Sequence, residues 1–164
     1  MSMTFRIWLL CSLFFPFVVQ AQSVEDARSS ICGKTVFFYE NAHGNQVEYF
    51  APDGFAYLWY PGNRVSVPSQ WKIEPSLLGN AAQICFKYPN RSYNPVTKKF
   101  GGKWECRPFF LFESNMNDTK LSGDVFGLSL GSCSIPDDHI APRRSALFMA
   151  RWVLTEARNG RTTC

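Results

Sequence analysis

Turn residues punctuate this chain about every eight to twelve positions, and between them lie short runs of aromatic and β-branched residues, the pattern of strands and tight turns. Such spacing leaves too few helices for the crossovers that parallel strands need, so the chain predicts a mainly β, antiparallel fold. Extended runs are expected over 35–39, 46–50, 55–60, 65–67, 70–74, 82–88 and 104–112, with a last one over 124–130. Pro52-Asp53-Gly54 marks a tight turn, because proline presets the first bend and glycine accepts a positive φ. In 70–74 the alternation turns Trp71 and Ile73 inward and Gln70, Lys72 and Glu74 outward. The run 55–60 is bulky on both faces, as in a central strand covered twice or a barrel wall.

Two helical segments flank these strands. Ser23 is placed to cap one or two turns ending near Ser30, with Glu25 and Asp26 where the helix dipole favours acids. Leu147, Phe148, Trp152 and Val153 recur at helical spacing within 145–159, and Gly160 stands where that helix would stop. The expected fold is therefore a small antiparallel β-barrel, lipocalin-like or related, or a sandwich, with a short N-terminal helix and a C-terminal helix. No internal repeat interrupts that plan.

Arg6 precedes an apolar run over 7–19 that ends in Val19-Gln20-Ala21, the pattern of a signal peptide spanning 1–21. A membrane anchor fits less well, since Pro16 and Gln20 interrupt a run of minimal spanning length and no basic cluster follows it. A lipid-modified Cys11 is disfavoured by the bulky Leu10 before it. Cleavage leaves 143 of the 164 residues, enough for a single disulfide-stapled β domain over 22–164 with a helical C-terminal segment, located in the periplasm or secreted. Loss of Arg6 takes the net charge from +4 to +3. The adjacent basic pairs Lys98-Lys99 and Arg143-Arg144 sit in no long basic run, so neither nucleic acid nor an anionic membrane is favoured as a partner by sequence pattern. No second stretch is apolar enough to span a membrane.

Five cysteines follow the leader: Cys32, Cys85, Cys106, Cys133 and Cys164. In an exported chain they are read as a disulfide framework. Cys85 and Cys106 lie on consecutive predicted strands and are expected to pair. A second bridge joins Cys32 to Cys133, with Cys164 competing; left unpaired, Cys164 offers a thiol for linking two copies into a dimer. No Cys-x-x-Cys pair exists, and His43 and His139 are remote from every cysteine, so neither metal nor cofactor is expected.

Catalytic signatures are missing as well. There is no Gly-x-Ser-x-Gly, no His-Glu-x-x-His and no phosphate loop. His43 reads as a solvated turn residue and His139 as part of the polar turn after Asp137-Asp138. Glu48, Asp53, Glu74 and Glu105 sit on or beside strands and are expected to point outward as solubilising groups rather than to form a hydrolytic pair. Recognition is instead expected on loops held by a rigid scaffold. The turn carrying Tyr60 and Arg64 and the polar loop carrying Tyr88, Arg91 and Tyr93 form the predicted rim.

Tyr49-Phe50-Ala51-Pro52-Asp53-Gly54, Leu58-Trp59, Val67-Pro68-Ser69-Gln70-Trp71, Ile84-Cys85-Phe86-Lys87-Tyr88-Pro89 and Trp104-Glu105-Cys106 together resemble a family of small uncharacterised exported proteobacterial proteins, over about residues 34–132. The resemblance implies an exported β-fold and imparts no catalytic residue. The expected function is a non-catalytic, exported binding protein that recognises a small apolar or glycan-like ligand, or an envelope or host protein, through its loops and barrel mouth. The alternative is an inhibitor of an envelope-attacking enzyme such as lysozyme, with a hydrolase as the third reading.

Overall fold

The computed structural model describes residues 22–40, 44–61, 63, 65–76, 81–94 and 96–131. The expected signal peptide over 1–21, His43, Arg64, Cys133, His139, Cys164 and the helix expected over 145–159 lie outside the described residues. No helix among the described residues is long and apolar enough to cross a membrane.

Helix α1 (Val24–Ile31) begins as its sequence requires: the Ser23 hydroxyl accepts from the Asp26 backbone N–H at 3.1 Å, satisfying a donor that the first turn leaves open. The chain then forms an antiparallel meander of β1 (Lys34–Glu40), β2 (Gly44–Phe50), β3 (Phe55–Trp59), β4 (Val67–Pro75) and β5 (Ala82–Lys87). A small hairpin of β6 (Tyr93–Asn94) and β7 (Lys99–Phe100) interrupts the path before β8 (Glu105–Pro108) pairs with β5. Helix α2 (Phe109–Ser114) leads to β9 (Met116–Ser122), which pairs with β1. The seven-stranded order is β8-β5-β4-β3-β2-β1-β9.

The mainly β, antiparallel expectation holds, but the hydrogen-bond ladder does not close into a barrel among the described residues. Parity explains why. Each strand of this sheet opposes its neighbour, so with seven strands the two edges, β8 and β9, run in the same direction. Joining parallel neighbours takes a crossover of about a dozen residues or more, and only Phe109 to Asn115 separate these two strands. The short connection nevertheless forces a strong curl: a flat sheet would hold its edges about 29 Å apart, whereas the six residues of α2 span only about 9 Å.

Curling wraps the inner faces around one apolar core. Phe50 lies between Trp71 (ring centroids 5.2 Å), Phe112 (5.9 Å) and Phe86 (6.0 Å), bringing β2, β4, α2 and β5 into one ring layer. Phe38 joins it from β1, 5.9 Å from Phe112. Helix α1 plugs the end of the curl nearest the start of β1 through Ala27 and Ile31, both fully buried. Helix α2 fills the seam with Phe109 and Phe112 and is tied to β9 by Glu113 and Lys120, 3.0 Å apart. On the outer face, Phe37, Val47 and Trp59 pack under Phe126 and Leu128, which explains why β3 is apolar on both sides.

Several expected elements take different forms. The strand expected over 65–67 does not form as such: Val65 and Ser66 lie outside any strand, and Val67 opens β4, which also holds the run 70–74. β5 pairs with β4 only from Gln70 onward, so Pro68 stands where β4 is bounded on one side. The strand expected over 104–112 stops at Pro108, and Phe109 and Phe112, three apart, bury the same face of a short helix. A brief apolar run carries no periodicity that separates the two alternatives. The strand expected over 124–130 is a turn followed by a 3₁₀ segment, Leu128–Leu130, whose first amides donate to the Asp124 carboxylate at 2.8 Å. The sheet's last strand is instead β9, over the polar run that precedes it.

The Cys85–Cys106 bridge forms as expected, locking β5 to β8 at a directly opposed pair. Cys32 is half-buried and free among the described residues, while its expected partner Cys133 lies outside them. Replacing Cys85 and Cys106 with serine should cost about 3 kcal/mol, because the bridge closes a loop spanning 21 positions. Phe112→Ala should cost about 3–5 kcal/mol by opening a void in the ring layer. Urea unfolding of each variant measures both losses.

Candidate functional site

Opposite the end plugged by α1, the curl opens into a cavity of about 350 Å³, within the range of roughly 300–1,000 Å³ in which proteins hold small ligands. Its walls follow from strand alternation. Phe38 on β1, Leu58 on β3, Phe86 on β5 and Phe112 on α2 present apolar surface, and Tyr60 and Tyr88, just past the ends of β3 and β5, rise toward the mouth. The ring layer closes the cavity below.

One inward position breaks the apolar pattern. Gln46, Glu48 and Phe50 alternate along the inner face of β2, so Glu48 sits directly above the ring layer, 2% exposed. The expectation that Glu48 is an outward solubilising group is therefore overturned. The physical reason is the outer face of β2, where Val47 and Tyr49 are claimed by the packing beneath Phe126 and Leu128, leaving Gln46 and Glu48 to face inward. Glu48 Oε1 has no hydrogen-bond partner among the described residues. Burial pushes the Glu48 carboxyl up from 4.5 to about 8, and the Arg107 charge offsets only part of that rise. Near neutral pH this group is a carboxylic acid with a proton to donate. Tyr88 is likewise pushed up, by burial first and by the neighbouring Glu48 carboxylate second.

Arg107 reaches the site from the edge strand. Register pairs Arg107 with Ile84 and Glu105 with Phe86, which puts both charged residues on the cavity side of β8, while Cys85 and Cys106 meet on the other side. The Arg107 guanidinium lies 4.7 Å from the centre of the Phe112 ring. Glu105, also expected to point outward, thus joins Glu48 along the cavity, whereas Asp53 and Glu74 do not line it. Glu74 instead sits beside the disulfide, its Oε1 3.4 Å from Cys85 Sγ. Those three residues have the spacing of a metal site, but the two sulfurs are bonded to each other and offer no thiolate.

The β6–β7 hairpin overhangs the mouth. Two glycines fix its base: Gly101 N–H donates to Ser92 O at 2.9 Å and Gly102 N–H to Tyr88 O at 2.8 Å. A Cβ on Gly101 would come within 2.3 Å of Pro89 O and 2.8 Å of Tyr88 O, both backbone atoms, so only glycine lets the hairpin seat here. Of the predicted rim, Tyr60, Tyr88 and Tyr93 line this one cavity. Arg91 is exposed on the same loop without lining it, and Arg64 lies outside the described residues. Sequence reasoning missed Glu48 as a site residue; its only sequence signal was the pairing of Gln46 and Glu48 on the same face as Phe50.

The raised carboxyl makes a pH-dependent prediction. The unfolded chain releases this proton near 4.5 and the folded chain holds it to about 8, so the Glu48 contribution to stability declines as pH rises through that interval and is constant above it. Glu48→Gln should remove the decline and, near pH 7, stabilise the protein by an amount on the order of 3 kcal/mol. Urea midpoints of wild type and variant, compared at pH values below, within and above the interval, should converge in acid and separate as pH rises.

No protein-family model, curated protein or solved structure matches this chain.

Proposed function

We propose that this chain is an exported, non-catalytic binding protein that holds a small, mostly apolar ligand in the mouth of the curled sheet, with a hydrogen-bond acceptor on the ligand meeting Glu48. The observation that carries this reading is the unpartnered Glu48 Oε1 at the closed end of an aromatic cavity. An unsatisfied buried polar atom costs about 1–3 kcal/mol, a standing penalty that a bound carbonyl or ether oxygen would relieve. Phe38, Leu58, Phe86 and Phe112 favour an apolar ligand body, and Tyr60 and Tyr88 supply amphipathic walls of the kind that orient small molecules.

The buried, unpartnered carboxyl and the aromatic cavity around it favour ligand binding over the inhibitor reading, which makes no use of an interior cavity. Placement in the periplasm or outside the cell is supported by the Cys85–Cys106 bridge, since such bonds persist in oxidising compartments. It also agrees with the leader pattern and with the exported family that the sequence resembles.

N-phenyl-1-naphthylamine, a neutral apolar fluorophore, tests the cavity. It should bind saturably to one site, and Val67→Trp, which fills the cavity at the level of Glu48, should weaken it tenfold or more. Affinity should fall as pH rises past about 8, because ionising Glu48 beneath a dry ligand is costly; in Glu48→Gln that fall should vanish. Absence of saturable binding, or an affinity indifferent to Val67→Trp, would sink the proposal.

A further inference from the structure

We propose that the β6–β7 hairpin docks this protein onto an anionic lipid surface, with the cavity mouth turned toward the lipid. Two independent observations meet on this hairpin. The first is charge: residues 88–104 include Arg91, Lys98, Lys99 and Lys103 and not one Asp or Glu. The four cations are spread over thirteen positions, which is why no basic run is visible in the sequence; antiparallel pairing of β6 with β7 folds that stretch into one short projection. Among the described residues, the only carboxylates along the adjoining cavity are buried Glu48 and, on β8, Glu105.

The second observation is exposed apolar surface at the same place. Phe100 is 67% exposed, Tyr93 50% and Val96 46%. The rings of Tyr93 and Phe100 sit 5.1 Å apart, on one side of the hairpin, and cover none of the core. A folded domain gains little from an aromatic pair left in water, and each strand of this hairpin is two residues long, too short to hold itself together. The glycine contacts at its base hold it instead, so the rings are presented on a fixed mount.

Aromatic side chains flanked by lysines and arginines suit the boundary between lipid headgroups and acyl chains, where rings enter the apolar region and long cationic side chains reach back to phosphate. An acidic protein surface would satisfy the cations but would leave the ring pair without an apolar phase to enter. Long-range attraction supplies the rest: each Lys or Arg near an anionic bilayer raises binding about fivefold. This docking needs no ligand in the cavity, but Tyr93, Val96, Lys99, Phe100 and Lys103 also line that cavity, so the hairpin that meets lipid is the roof of the binding site proposed above and would give an apolar ligand a direct route.

The protein lacking residues 1–21 should be tested for co-sedimentation with vesicles of phosphatidylcholine alone and of phosphatidylcholine mixed with phosphatidylglycerol. Binding is expected to the mixed vesicles only and should weaken with added salt. Lys98→Gln with Lys99→Gln should weaken it roughly twentyfold or more, and Phe100→Ser should weaken it at every salt concentration. All three residues are exposed, so circular dichroism and the thermal midpoint should show the variants folded. Val67→Trp should weaken fluorophore binding tenfold or more and leave vesicle binding in place, separating the two proposals. Equal binding to both vesicle types, no binding to either, or full binding by the lysine variant would overturn the inference; retention of the folded protein on an acidic polypeptide without vesicle binding would assign the hairpin to a protein partner instead.

Discussion

Everything in this molecule depends on how an antiparallel sheet with an odd number of strands deals with its two edges. β8 and β9 run the same way, the link between them is too short for them to pair, and the seam is filled by two phenylalanines from α2 in place of a ladder. Phe112 does more than fill space. Its ring contacts Phe38, Phe50 and Phe86, which come from three different strands, so the tightness of the curl is set by aromatic packing across the interior. Edge-on and tilted arrangements like these contribute about 0.5–1.5 kcal/mol per pair beyond burial. Helix α2 thus converts an open sheet into a container.

The ring layer divides that container. Below it, α1 seals the interior with Ala27 and Ile31, and the core there is built from apolar side chains such as Ala56, Trp71 and Ile84. Above it, the inner face of β2 turns polar at Glu48 and Gln46, and the packing loosens into the cavity. A carboxyl there is costly in either protonation state: ionised, it is a charge with little water; neutral, it retains an unpartnered oxygen. Isosteric glutamine or leucine would serve folding better, so the position is one where stability is lower than the fold allows. Violations of this kind concentrate where a protein binds something.

How much of this could be read from the residues alone depended on whether one face or two were buried. β4 was legible because Trp71 and Ile73 alternate with polar residues; Gln70 is exposed and Trp71 buried as that alternation requires, while Lys72, Ile73 and Glu74 are all half-buried. The hairpin turn at Pro52-Asp53-Gly54 and the Ser23 cap were legible because each depends on local backbone chemistry: Gly54 has φ +89° and Ser23 accepts the Asp26 amide. β2 was misread at its most important position, since Val47 and Tyr49 gave no warning that their side of the strand would be covered by a distant segment around Phe126. Burial of both faces erases the contrast on which alternation depends. β9 was missed for the opposite reason, being a polar edge strand whose place is fixed by tertiary pairing with β1 rather than by its own composition. The run after Pro108 contains only aromatic and aliphatic residues at first, and nothing local decides between strand and helix until the seam demands a plug.

The disulfide ties these levels together. Cys85 and Cys106 close a loop that contains the whole β6–β7 hairpin, so the covalent bridge holds both ends of the segment that roofs the cavity. Its partners within the sheet are the same strands that carry Phe86 and Arg107 to the cavity wall. β8 is four residues long and, among the described residues, unpaired on its far side, which makes it the part of the sheet least able to hold its register by hydrogen bonds alone. Opening the bridge would therefore act first on the strand that carries Arg107, whose charge offsets part of the desolvation of Glu48, and on the mount of the hairpin. Oxidation, edge pairing and the electrostatics of the cavity are consequently one coupled feature of the β5–β8 edge.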